Sequence, residues 1–234
     1  MQELLVGAKA IGLYVIPAVS IMLITRKVIR VPDELFRKIL HFILLGAYVP
    51  FLFAFERWWV SVGLVFLLAL MLYPVLAIAG RIPAFSSFVN ERKEGEFKDS
   101  MVLALGVMVV SIAVGWGLAG DRYLVLASVY AWGVGDAFAA LIGKQFGRHK
   151  IKWKLADNHK SVEGSVAMFV TSTIAVWTVL LIRGGLDPIS SLCSAIVAAA
   201  ACTMVELCTN NGFDTVSCPA VAMIIILPLV TWLG

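Results

Sequence analysis

Charge is scarce in this sequence: Asp, Glu, Lys and Arg make up 15% of its 234 residues, apolar residues make up 61%, and the mean hydropathy is +0.94. So small a supply of solvated groups excludes an ordinary water-soluble domain, in which about a quarter of the residues are charged. Histidine occurs three times, and the four cysteines, Cys193, Cys202, Cys208 and Cys218, form neither a CxxC pair nor a Cys/His cluster. The zinc and redox motifs that such spacings signal are therefore missing, and the cysteines read as small reduced residues in or near helices. The first apolar run holds Lys9 and Pro17 but lacks a basic start and a small-residue cleavage site, so a retained helix is expected rather than a removable signal peptide. No internal repeat with matching interrupted helices, the pattern that points to a secondary transporter, is visible.

What the sequence has in abundance is long apolar runs. Crossing the hydrocarbon takes about 20 apolar residues as a helix, and eight candidates are Leu4 to Thr25, Ile39 to Phe55, Trp58 to Gly80, Met101 to Gly120, Tyr123 to Ile142, Ser165 to Ile182, Ile189 to Leu207 and Pro219 to Leu233. The expected fold is therefore all-α, a polytopic integral membrane protein of about eight transmembrane helices forming a single transmembrane domain over residues 1–234. Three long connections carry fifteen of the nineteen basic residues, including Arg26, Arg30, Arg37 and Lys38 in the first, Arg81, Arg92, Lys93 and Lys98 in the second, and Lys144, Arg148, Lys150, Lys152, Lys154 and Lys160 in the third. The positive-inside rule then places these connections in the cytoplasm and both termini outside, which suits the cell (inner) membrane. Val28, Ile29, Val31, Leu35 and Phe36 alternate with charges between Arg26 and Lys38, a pattern expected of a helix lying in the interface and starting at Pro32, with Asp33 and Glu34 in its first turn.

The residues able to do chemistry cluster at the basic ends of the spans. Asp136 lies inside the fifth span, where an unpaired carboxylate costs several kcal/mol; Gly133, Asp136, Ala140, Gly143 and Gly147 recur at spacings of three or four, a smooth stripe bearing one acid. That stripe fits either a small-residue helix contact or a carboxylate holding a hydrated or phosphate-bound magnesium ion. The following loop ends in Lys160, Glu163, Gly164 and Ser165, and basic side chains beside an open helix N-terminus favour phosphate, although lipid headgroups would attract the same lysines. Arg37, Lys38 and His41 gather at the second span as phosphate binders or as snorkelling cations. Glu91, Glu94, Glu96 and Asp99 are a solvated charge run or metal ligands. Glu206 and Asp214 flank a last connection that has Asn210 and Asn211 but no Lys or Arg, so they either call for a cation or serve as ordinary caps.

Four of these segments, RKILH (37–41), GDAFAALIGKQFG (135–147), KSVEGSVAMF (160–169) and the spaced Glu206, Asp214 and Pro219, together resemble the CTP-dependent polyprenol (dolichol), phytol and diacylglycerol kinases, relatives of the phosphatidate cytidylyltransferases. The resemblance runs in family order from the second span to the eighth. It implies a membrane enzyme that transfers the terminal phosphoryl group of CTP to the hydroxyl of a membrane lipid alcohol with Mg2+ as cofactor. CTP, that alcohol and the bilayer are then the partners, with no nucleic acid. Asp136, Lys160 and Glu163 would be catalytic; Arg37, Lys38, Gly143, Gly147, Lys160 and Gly164 would bind the nucleotide; Asp136, Glu206 and Asp214 would hold metal. The cytidylyltransferase branch has a basic and acidic signature near its C-terminus, and the absence of basic residues there favours the kinase branch. Formation of a CDP-lipid and non-enzymatic transport of an anionic lipid are the alternatives.

Overall fold

The computed structural model describes residues 2–89, 95–151, 160–209 and 212–233. Among these residues the chain is helical, with no strands, and eight helices are long and apolar enough to cross a membrane. In chain order the helices are α1 (Gln2–Leu23), α2 (Asp33–Phe53), α3 (Trp58–Ala79), the short α4 (Pro83–Val89), α5 (Glu96–Ser111), α6 (Arg122–Phe146), α7 (Val162–Arg183), α8 (Pro188–Cys208) and α9 (Asp214–Leu233). All but α4 are spans, and each matches one apolar run.

Several spans begin earlier than hydropathy suggests, because polar residues that apolar counting leaves out still take helical conformation. No separate interfacial helix forms between Arg26 and Lys38. Instead α1 continues as a π-helical turn, Ile24–Ile29, that stops at Arg30 in the left-handed conformation (φ 56°), and α2 starts at Asp33 with Pro32 as its N-cap. Asp33 and Glu34 thus occupy the first turn of a spanning helix, where carboxylates suit the positive end of the helix dipole. Arg26 fastens this corner, 2.6 Å from Asp33 Oδ1, 2.8 Å from the Ser87 carbonyl and over the Phe36 ring at 5.0 Å.

The helices group into two compact units, Met1–Gly117 and Leu118–Gly234. In the first, α1 packs on α2, where the Tyr14 hydroxyl donates to the Ile43 carbonyl, and α3 packs on α5. α5 ends in a second π-helical turn, Ile112–Leu118, and a Cβ at Gly117 would stand 3.0 Å from the Trp58 ring, so glycine lets the indole lie flat on the backbone. In the second unit α6 packs on α7 and α9, and α8 on α7 and α9, around a core of small and aliphatic residues including Ala131, Ala137, Met168, Ala195, Ala198 and Ile226. Asp121 closes the end of this unit away from the basic connection. It accepts from the backbone N–H groups of Tyr123 and Leu124 as the α6 N-cap, and it receives Arg183 Nε at 2.6 Å from the end of α7.

Candidate functional site

Glycines bring the α6 backbone close against α7 and the residues that lead into it. A Cβ at Gly135 would stand 2.8 Å from Met168 Cγ, one at Gly147 2.6 Å from Ser161 Oγ, and one at Gly164 2.9 Å from the Ala139 carbonyl oxygen. Gly135, Ala139, Gly143 and Gly147, at strict spacings of four, thus form a close-packed stripe that shares Gly143 and Gly147 with the one expected from the sequence. Both spacings are helical, and small residues at either pack. Asp136 sits one residue round from this seam. The space at Gly143 and Gly147 is taken by Ser161 and Gly164, so these glycines serve helix packing. Ser161, buried, accepts from the Gly164 N–H and caps α7.

The acids meet at a helical hairpin. The Cys202 thiol donates to the Cys218 carbonyl at 3.4 Å and the Cys218 thiol to the Cys202 carbonyl at 3.5 Å, which fixes α8 and α9 side by side. One turn outward from that contact stand Glu206 on α8 and Asp214 on α9. Trp132, a buried residue one turn before Asp136 on α6, donates its indole N–H to Asp214 Oδ2 at 3.0 Å. Glu206 lies within the electrostatic reach of Lys160, Asp136 and Asp214. Asp136, Glu206 and Asp214, singled out in the sequence, are carried by three different helices, with Glu206 sensing the charge of the other two.

Lys160, just before α7, reaches this hairpin. Its ammonium lies 3.1 Å from Glu206 Oε1, donates to the Thr209 carbonyl at 2.9 Å and donates to the Glu206 carbonyl. An ammonium has three donors, and here three acceptors at the end of α8 take them, in the place where the helix dipole favours a cation. Glu163 points elsewhere: it accepts from the His149 backbone N–H at 3.2 Å and pairs with His149 Nδ1 at 2.7 Å. With the Lys150 to Ser161 bridge and the bonds from Val162 N–H to the His149 carbonyl and from Ile151 N–H to the Lys160 carbonyl, this pair closes the base of the third basic connection.

Arg37 and Lys38 belong to the first unit. Arg37 lies 3.8 Å from Glu34 and 3.7 Å from Glu96, so the second connection is tied to α2 through Glu96; Asp99 lies 3.5 Å from Lys98. Glu91 to Glu94, Lys152, Lys154, Asn210 and Asn211 lie outside the described residues.

Carboxylate oxygens are the donors magnesium takes, so Asp136, Glu206 and Asp214 fit it in kind. Among the described residues no three His, Cys, Asp or Glu side chains converge closely enough to hold a metal ion by themselves. The arrangement fits a magnesium ion that keeps most of its ligands from phosphates and water and takes one or two carboxylates from the protein. Sequence reading missed Trp132 and His149. The signal for Trp132 was an indole among glycines and alanines one turn from Asp136, since a buried indole N–H needs an acceptor. No protein-family model matches the chain, and no curated protein or solved structure shows significant similarity to it.

Proposed function

We propose that this protein is a CTP-dependent lipid-alcohol kinase, which moves the terminal phosphoryl group of CTP to the hydroxyl of an isoprenoid alcohol (phytol, farnesol or polyprenol) or of diacylglycerol. The observation that carries the reading is the gathering of Asp136, Glu206, Asp214 and Lys160 at one end of the second unit. Ionisable groups at membrane depth are costly and mark functional sites by default. Their order along the chain, with Arg37 and Lys38, is that of the kinases the sequence resembles.

In the reaction the alcohol oxygen attacks the terminal phosphorus in line, the new O–P bond forms as the bridging P–O bond breaks, and CDP leaves. The hydroxyl proton passes to a carboxylate of the cluster, Glu206 or Asp214, since Glu163, the third candidate in the sequence, is turned to His149. Positioning and charge neutralisation do most of the work in such a transfer. Lys160 is held by Glu206 and two carbonyls, and a phosphate oxygen arriving there exchanges with one of those acceptors. Asp136, with Glu206 or Asp214, would hold the magnesium carried by the nucleotide, which supplies neutralisation of phosphate charge. The lipid reaches the site sideways from the bilayer, and the basic connections put the nucleotide on the cytoplasmic face of the cell membrane.

Purified protein incubated with a panel of lipid alcohols and each nucleotide labelled on its terminal phosphate tests this. Label should pass from CTP into a lipid monophosphate with release of CDP. Pyrophosphate and a CDP-lipid from phosphatidate would identify a cytidylyltransferase instead, and lipid movement with no nucleotide consumed would identify a transporter.

A further inference from the structure

Asp214 opens α9 directly after the connection from α8, and a carboxylate in that position needs something besides its own loop to aim it. We propose that Trp132 is that element: its indole N–H positions the Asp214 carboxylate beside Asp136. The proposal rests on the kinase reading only for its effect on catalysis. Trp132 is 7% exposed, and its N–H lies 3.0 Å from Asp214 Oδ2. An indole nitrogen can only donate, and it engages one carboxylate oxygen, so it orients the group while leaving its charge in place. The same helix carries Asp136 one turn further on, and α6 therefore sets the position of both acids: one through its own backbone, the other through the indole. Glu206, the third, is set independently by Lys160. Residues that orient a metal-binding carboxylate from behind typically change metal affinity or activity by about 10- to 100-fold when removed.

The test reads the tether and its consequence separately. In protein labelled with 15N at the tryptophan indoles, the Trp132 resonance is identified by its disappearance in Trp132→Phe. Asp214→Asn should shift that resonance upfield and speed its hydrogen exchange, because a charged acceptor is lost, whereas Asp136→Asn should leave it nearly in place. In lipid phosphorylation, Trp132→Phe should need about 10- to 100-fold more magnesium for half-maximal activity with KM for the alcohol unchanged. Adding Trp132→Phe to Asp214→Asn should cost no further activity. An indole resonance indifferent to Asp214→Asn overturns the proposal, as does a Trp132→Phe protein that loses activity equally at every magnesium concentration. If the resonance answers to Asp214 but no nucleotide phosphorylates any alcohol, the tether stands and the kinase reading falls.

Discussion

In the second unit α6, α7 and α8 each begin with a side-chain cap, Asp121, Ser161 and Asp187, whereas α2, α3 and α5 of the first unit begin at Pro32, Arg57 and Gly95 without one. The extremes of burial among the spans follow the same line, although α5 of the first unit and α7 and α9 of the second are equally buried at 33%. Of the most apolar stretch of α6, 56% is buried, against 6% of α3, whose Phe66, Leu67, Leu70 and Met71 are exposed. A helix that meets mostly lipid needs only length and hydropathy. One that must hold Asp136, Lys160, Glu206 and Asp214 near one another needs fixed ends, small residues at its contacts and a partner for each polar group. The polar residues of the second unit are spent on that fixing, and its reactive groups lie where the fixing is densest.

The largest effects should therefore separate the two units most clearly. Gly135→Leu forces a side chain into Ser172 and Met168, and overpacking of this kind costs about 1–3 kcal/mol, with α6 and α7 driven apart. Gly63→Ala on α3, where nothing stands within 4 Å of a Cβ, should be neutral or stabilising by about 0.5–1 kcal/mol, because alanine favours helix. Thermal unfolding in detergent compares the pair, and equal losses would break the contrast.

Lys160→Met should cost at least as much as Gly135→Leu. It strands Glu206, whose side chain is 14% exposed, and it takes the ammonium donor from the Thr209 carbonyl, while the Glu206 carbonyl keeps the Thr209 N–H and hydroxyl. Breaking a fully buried pair costs about 3–5 kcal/mol, and the residual exposure here brings the expectation to about 2–4 kcal/mol. Adding Glu206→Gln should return part of that loss, because the stranded charge is removed, and a double variant worse than Lys160→Met alone would contradict the pairing.

Ser161→Ala removes the α7 cap and should cost about 1 kcal/mol, read in the same unfolding assay. The smallest effect belongs to Asp187. The hydroxyl of Ser190, with backbone N–H groups, holds its carboxyl below the usual aspartate value of 3.8. A group whose pKa is lowered by folding adds stability that is complete above its unfolded value and is lost as the pH falls through the folded one. The unfolding temperatures of the parent and Asp187→Asn should accordingly differ above pH 4 and converge in more acidic solution.

The spans were legible because a run of about 20 apolar residues is long enough to cross the hydrocarbon and too apolar to face water. A helix start at Pro32 with Asp33 and Glu34 in its first turn was legible too, though not that this helix is the span itself, and the starts at Glu96 and Asp214 were not, since the charged first turns of α5 and α9 look like loop to a hydropathy count. Asp136, Lys160, Glu206 and Asp214 could be singled out as costly or unpaired, yet nothing in their spacing showed that Lys160 meets the end of α8 or that Trp132 holds Asp214. Those pairings depend on the hairpin closing at Cys202 and Cys218, 16 residues apart in sequence, and on the close approach of α6 to α7. Such choices are made by packing between helices.

Asp136 tests the central claim most directly, since its carboxylate lies in a membrane span, where a charge is costly to keep. Asp136→Asn keeps the shape and most of the hydrogen bonding and removes only the charge that would hold a cation. Transfer of labelled terminal phosphate from CTP to a lipid alcohol, measured for the parent and for Asp136→Asn across a magnesium titration, should nearly vanish in the variant while the protein still inserts and purifies normally. Activity within about threefold of the parent throughout the titration would place Asp136 outside the chemistry and contradict the kinase mechanism.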